Sequence, residues 1–146
     1  MSSGDCYDLQ RFVAAQREIY DQVLTELRLG RKESHWMWFI FPQLAGLGHS
    51  AMAERYALRN LEQAKRYLAH RILGDRLRQV VGLMLQQKDK SALDILGSPD
   101  DLKFRSCLSL FVHAAANEDD RTLFKRALDQ FYEGKSDPRT AQLMAT

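Results

Sequence analysis

The chain has little with which to staple itself together. Cysteine occurs twice in 146 residues, as Cys6 and Cys107, and the two are too far apart to fit a zinc or redox motif. Without a disulfide framework, a reducing compartment and two unpaired thiols are expected. Long hydrophobic runs are missing too. The longest, Trp36 to Phe41, is six residues, far short of a membrane span. Residues Met1 to Asp8 are polar and lack the apolar stretch of a signal peptide. The expectation is a cytoplasmic location with no membrane partner. Charge of one sign is also scarce. A net charge of +2 excludes a general pull on nucleic acid or anionic membrane and leaves room only for a local basic patch. No internal repeat and no low-complexity segment is present.

Metal chemistry lacks its usual spacing. His35, His49, His70 and His113 show no i, i+3 or i, i+4 pairing with another histidine or cysteine, and no H-E-x-x-H motif occurs. No metal and no cofactor are expected. Gly46-Leu47-Gly48 lacks the lysine and the preceding strand of a phosphate loop. Its turn nevertheless lies just before an expected helix N-terminus, where anions bind well.

What the chain does have is helical periodicity. A length of 146 residues suits one domain, and such a chain buries about 68–70% of its unfolded surface, enough for a core without staples. Leu9, Phe12, Val13, Tyr20, Val23, Leu24 and Leu27 predict a helix over 9–28, between an Asp8 cap and a Gly30 stop. Helices follow over 50–57, over 61–70 after an Asn60 cap, and over 75–87 after a turn at Ile72-Leu73-Gly74-Asp75. Residues 91–96 make one or two turns closed by Gly97. Ser98-Pro99-Asp100-Asp101 reads as a helix start, with a serine cap, proline first and acids in the first turn, running to about Ala116. Residues 121–133 and a short helix from Asp137-Pro138 complete the chain. The aromatic stretch at 34–41 has no second strand-like run to pair with, so it is read as helix as well. The expected fold is all-α: a single compact irregular helical bundle of seven to eight helices over 8–146, after a loose tail over 1–7.

The stretch Lys32-Glu33-Ser34-His35-Trp36-Met37-Trp38-Phe39-Ile40-Phe41-Pro42-Gln43 holds both tryptophans and the densest apolar run. Burying each large side chain is worth roughly 1.5–3 kcal/mol, so this segment is expected to pass through the centre of the fold. An apolar element fringed by polar groups makes a ligand pocket, and equally a satisfied core. Gln16 poses the same question, as an amide on an otherwise apolar stripe. The ligand reading places a phosphate-bearing small molecule, such as a nucleotide or ADP-ribose derivative, between 34–43 and the helices at 9–28 and 99–116. Lys32, Lys103 and Ser50 would hold phosphate, while Gln16, Ser34, His35 and Gln43 would make directional contacts and Trp36 or Trp38 would stack. His35 would be the catalytic acid–base if a reaction occurs. Ser106 stands three residues after Lys103, like a nucleophile and its activator; a polar edge beside the core stripe is the plainer reading. The competing reading is a non-enzymatic protein-interaction domain with a purely structural aromatic core. Lys65, Arg66, Arg71, Arg76 and Arg78 around Gly74 superficially resemble a helix-turn-helix, but Glu62 and Asp75 dilute the charge, and nucleic-acid binding is the least favoured reading. The oligomeric state is left open.

The tryptophan-rich run, with Gly46-Leu47-Gly48 and Ser50 after it, resembles the signature of the bacterial domain-of-unknown-function family 1810. Phe12 with Ala15-Gln16 and Tyr20, Tyr56-Ala57-Leu58, Glu62 and Ala64 with Tyr67-Leu68-Ala69-His70 extend the likeness. Leu73-Gly74 with Arg76-Leu77, and Gly97 with Asp101, Lys103, Ser106 and Leu110-Phe111, complete it over roughly 8–143. The chain departs at Cys107 and Ser109, where the family more often has serine and then threonine, which weakens any role hung on a serine pair. The resemblance implies a compact helical domain and no settled activity. Some members carry the label calpastatin, for which these residues offer no support. The order of parts is also faintly similar to NADAR enzymes that process ADP-ribose. Their Glu-His-Ala-Tyr motif is not reproduced, because Ser34 separates Glu33 from His35.

Overall fold

The computed structural model describes residues 3–145, with side chains from Asp8 onward. The described residues form α1 (Ser3–Arg17), α2 (Tyr20–Leu29), α3 (Met37–Ile40), α4 (Ala51–Arg55) and α5 (Leu61–Ala69), then α6 (Arg71–Gln86), α7 (Ala92–Leu96), α8 (Asp100–Ala114), α9 (Glu118–Tyr132) and α10 (Pro138–Ala145). The all-α expectation holds, with ten helices among the described residues in place of seven to eight. Leu44 and Leu58 pair at one isolated parallel bridge, which does not extend into a strand. The side chains of the expected tail, Cys6 among them, lie outside the described residues. Cys107 is a buried free thiol, pushed well up from its ordinary pKa by burial.

One extra helix comes from a break that the periodicity hides. The expected helix over 9–28 is two, divided at Glu18-Ile19. Ile19 is still near-helical, and its N–H donates back to the Gln16 carbonyl at 3.2 Å. The apolar pattern therefore carries through the break. On either side of it α1 packs against α3, α5 and α6, and α2 packs against α6.

A second difference concerns glycine. Gly74 is not in a turn but in the first turns of α6, which is capped by His70, whose Nδ1 accepts from the N–H groups of Ile72 and Leu73. A Cβ at position 74 would stand 2.1 Å from the Leu68 carbonyl oxygen. Glycine is there because α6 starts against the last turn of α5, too close for a methyl group. Ser98 likewise does not cap α8: the helix begins at Asp100, without a side-chain cap. The Asn60 cap and the Ser91–Asp94 capping box form as their residue types favour.

Fully buried aromatics join these helices. Phe12 meets Tyr67 edge-on at 5.2 Å, and Tyr67 leads to Phe111 at 5.6 Å and Phe111 to Phe124 at 5.8 Å. A second line runs from Trp36 to Phe41 at 6.1 Å and on to Phe104 at 4.6 Å. The 34–43 segment thus contributes Trp36, Met37, Phe39, Ile40 and Phe41 to the core, while Trp38 is only partly buried.

Candidate functional site

The polar groups expected around the aromatic run divide into three sets. The first is gathered by Glu26, on the buried face of α2 and 3% exposed. Its Oε1 accepts from the Glu33 N–H at 2.8 Å, the Ser34 N–H at 3.0 Å and Trp36 Nε1 at 2.9 Å. Its Oε2 accepts from Ser34 Oγ at 2.6 Å and Gln22 Nε2 at 2.9 Å. Burial pushes the carboxyl up, but the Ser34 and Glu33 donors and Gln22 outweigh it and hold the pKa down to about 2. Ser34 and Trp36 are thereby committed to folding the strap between α2 and α3.

The second set lies on the α8 side. Lys32 Nζ is 2.9 Å from Asp100 Oδ2 and sits 5.1 Å over the Trp36 ring. Lys103 Nζ is 3.7 Å from Asp100 Oδ1 and 5.6 Å over the Trp38 ring. The two lysines expected to share a phosphate do converge, on a carboxylate already present. The third set is Gln16, whose Nε2 donates to the Phe39 carbonyl at 2.7 Å and to Tyr67 Oη at 3.1 Å, while its Oε1 accepts from Arg76 Nη1 at 3.2 Å. Every polar atom of this 1%-exposed amide has a protein partner.

The remaining expected residues do not join them. His35 is exposed. Ser50 is the N-cap of α4, accepting from the Ala53 N–H at 3.1 Å. Ser106 is buried, its one proton shared between the Leu102 carbonyl and Asp137 Oδ2 and not directed at Lys103. Gln43 and Trp38 line a crevice of about 10 Å³, room for roughly one water and too small for a phosphate-bearing molecule. Trp38 Nε1 is buried there without an acceptor.

The large concavity lies elsewhere. A cleft of about 570 Å³ opens between the C-terminal half of α5, α6, the end of α8 and the start of α9, within the range of small-molecule sites. Buried Leu68, Ala114 and Ala115 form its floor, and Glu62, Lys65, Arg66, Ala69, Arg78, His113, Ala116, Asn117 and Asp120 line the rest. Arg78 is gripped by buried Asp120, Nε to Oδ1 at 2.7 Å and Nη2 to Oδ2 at 3.0 Å, and this bond raises the guanidinium pKa. Arg76 points the other way, over the Tyr20 ring at 4.7 Å, so the basic cluster read from residues 65–78 is divided between two sides. Among the described residues no three metal-ligating side chains gather, and no helix is long and apolar enough to cross a membrane.

The model of the family described as "Protein of unknown function (DUF1810)" matches residues 6–144. The chain belongs to the DUF1810 family. Among solved structures it is similar to the conserved hypothetical protein Rv1873 from Mycobacterium tuberculosis, at 47% identity and a TM-score of 0.91 over 95% of this chain and 97% of that one. No curated protein matches. In this DUF1810 chain two polar centres escaped the sequence reading. Glu26 falls beside Val23 and Leu27 on the buried face of α2, so the test that singled out Gln16, a polar residue in apolar phase, would have found it. The cleft is assembled from helix ends far apart in sequence, and no local pattern announces it.

Proposed function

We propose that this DUF1810 domain binds a small phosphate-bearing molecule, of the nucleotide or ADP-ribose class, in the cleft between α5, α8 and α9. This moves the ligand away from the aromatic run, where Ser34 and Trp36 are held by Glu26, Lys32 by Asp100, and the crevice beside Trp38 and Gln43 is only about 10 Å³. The observation that carries the reading is the combination in the 570 Å³ cleft of an apolar alanine–leucine floor with the three cations of Lys65, Arg66 and Arg78, against two carboxylates, Glu62 and Asp120. A flat organic group suits the floor, and anionic oxygens suit Lys65 and Arg66 at the mouth. Arg78, fixed by Asp120, is a rigid positive wall rather than a free arm. His113, in the last turn of α8, adds an imidazole that can donate to an anion. The proposal is one of binding and contains no chemical step.

The test is a melting-temperature screen of nucleotides, sugar phosphates and ADP-ribose. At least one should raise the melting temperature, and Lys65→Ala and His113→Ala should each reduce that shift. No shift from any compound, or a shift indifferent to both substitutions, sinks the proposal and leaves the protein-interaction reading in its place.

A further inference from the structure

Next to the cleft is a smaller, mostly polar hollow of about 190 Å³, lined by Arg59, Asn60, Glu62, Gln63 and Arg66. The two share Glu62 and Arg66. The hollow sits at the N-terminus of α5, a helix of nine residues. Asn60 Oδ1 accepts from the Gln63 N–H at 2.9 Å, and the Asn60 carbonyl accepts from the Ala64 N–H at 3.1 Å. The N–H groups of Leu61 and Glu62 belong to the part of the first turn that has no intrahelical acceptor. Such an end favours an anion, yet every helix has one.

Gln63 sets this end apart. It is 4% exposed. The Arg59 N–H donates to its Oε1 at 2.7 Å, which fixes the oxygen end of the amide. Nε2 is then a buried donor with no acceptor, a costly condition in a folded protein. What is missing is an acceptor, and the two adjacent first-turn N–H groups and the Arg59 guanidinium ask for the same kind of group.

We infer that the hollow is the phosphate subsite of the ligand whose remainder lies in the larger cleft; the inference rests on the binding function proposed above. The phosphate oxygens accept from Gln63 Nε2, from the Leu61 and Glu62 N–H groups and from Arg59. Arg59 has a side chain 64% exposed and an ion pair with Asp8, so Asp8 competes for it. Glu62 stands where the two compartments meet, 3.8 Å from Arg66 and 65% exposed. A carboxylate there accepts hydrogen bonds from the hydroxyls of a ligand. The two together select a phosphorylated sugar, with its phosphate at α5, its hydroxyls at Glu62 and its organic substituent on the alanine floor.

Inorganic pyrophosphate is the probe, titrated into the full chain labelled with ¹⁵N. The Leu61, Glu62 and Gln63 amide signals should shift together. Arg59→Gln should weaken binding by about tenfold or more, as expected for loss of a charge-assisted phosphate contact. Gln63→Glu keeps the acceptor for the Arg59 N–H and replaces the lone donor with a carboxylate oxygen, so it should abolish binding. Should Gln63→Glu fail to fold, Arg59→Gln decides the matter alone, since its side chain is on the surface. Unshifted 61–63 amides, or unchanged affinity in Arg59→Gln, overturns the inference. If nucleotides bind through Lys65 and His113 while pyrophosphate leaves 61–63 untouched, the cleft stands and the subsite falls. If pyrophosphate binds at 61–63 and no organic phosphate binds anywhere, the anion site stands and the small-ligand reading falls.

Discussion

Glu26 and Gln63 are both buried polar side chains on amphipathic helices, and they end in opposite conditions. Glu26 carries a full charge and has five donors around it. Gln63 is neutral and leaves half of its amide unpaired. The charged group is the more expensive to bury, and the chain has closed the strap of residues 33–36 around it. The cheaper group is left open, beside a concavity. Burial of a polar residue therefore does not by itself mark a site. An unpaired atom does not mark one by itself either, since Trp38 Nε1 and Asp101 Oδ1 also lack partners; Gln63 differs in having its unpaired donor on a residue that lines a hollow of about 190 Å³.

The comparison can be broken most forcefully at Trp36. Trp36→Ala empties a fully buried position and removes one of the Glu26 donors, so a loss of roughly 3–5 kcal/mol is expected. Denaturant unfolding measures it. Trp38→Ala, at a partly buried position, should cost less than half as much, and equal losses would show that the aromatic run is not anchored through the Glu26 side.

Acid is the next probe. The Glu26 carboxyl sits at about 2 in the fold against an ordinary 4.5. A lowered folded-state pKa gives stability that is complete above about pH 4.5 and is lost as pH falls from there through about 2. The linkage amounts to about 3 kcal/mol at neutral pH. Glu26→Gln should be less stable at pH 7 and show a flatter stability profile between pH 5 and 2, read from unfolding curves across that range. A profile as steep as the wild type would mean that other carboxyls carry the acid sensitivity.

The smallest effect belongs at the cleft mouth. Lys65→Ala should stay within about 0.5 kcal/mol of the wild type in the absence of ligand, as surface substitutions away from special features do. A loss above about 1 kcal/mol would make Lys65 part of the framework, and the contrast with Glu26 would fade.

Much of the fold was legible because its signals are local. Asn60, Ser50 and Ser91 cap helices where their residue types say they should. The aromatic run from Trp36 to Phe41 is central because so many large apolar side chains have nowhere else to go. The division of α1 from α2 was not legible, since no proline or glycine marks it and Ile19 keeps the apolar phase. Gly74 misled because the same residue type serves a turn and a close helix contact, and only the neighbour decides which. The candidate site was least legible of all. Gln16 and Lys103 stand out on sound chemistry, yet each is already engaged, Gln16 by the Phe39 carbonyl and Lys103 by Asp100. The cleft draws Lys65 from α5, Arg78 from α6, His113 from α8 and Asp120 from α9, and such a convergence exists only once the bundle has formed.

The contact at Gly74 has a consequence for that convergence. The Leu68 carbonyl that forbids a methyl group at 74 also accepts from Arg78 Nη2 at 3.3 Å. One oxygen atom at the end of α5 thus gauges how near α6 comes and tethers the cation that α6 sends to the cleft. Lys65 and Arg66 ride on one side of that joint and Arg78 on the other. The span between them is set at the joint of α5 with α6. A bulkier residue at 74 would press on the Leu68 carbonyl and on Arg78 Nη1, 3.1 Å from a Cβ there, and so change the reach the cleft demands of a ligand; the length of molecule accepted is written in a side chain that is absent.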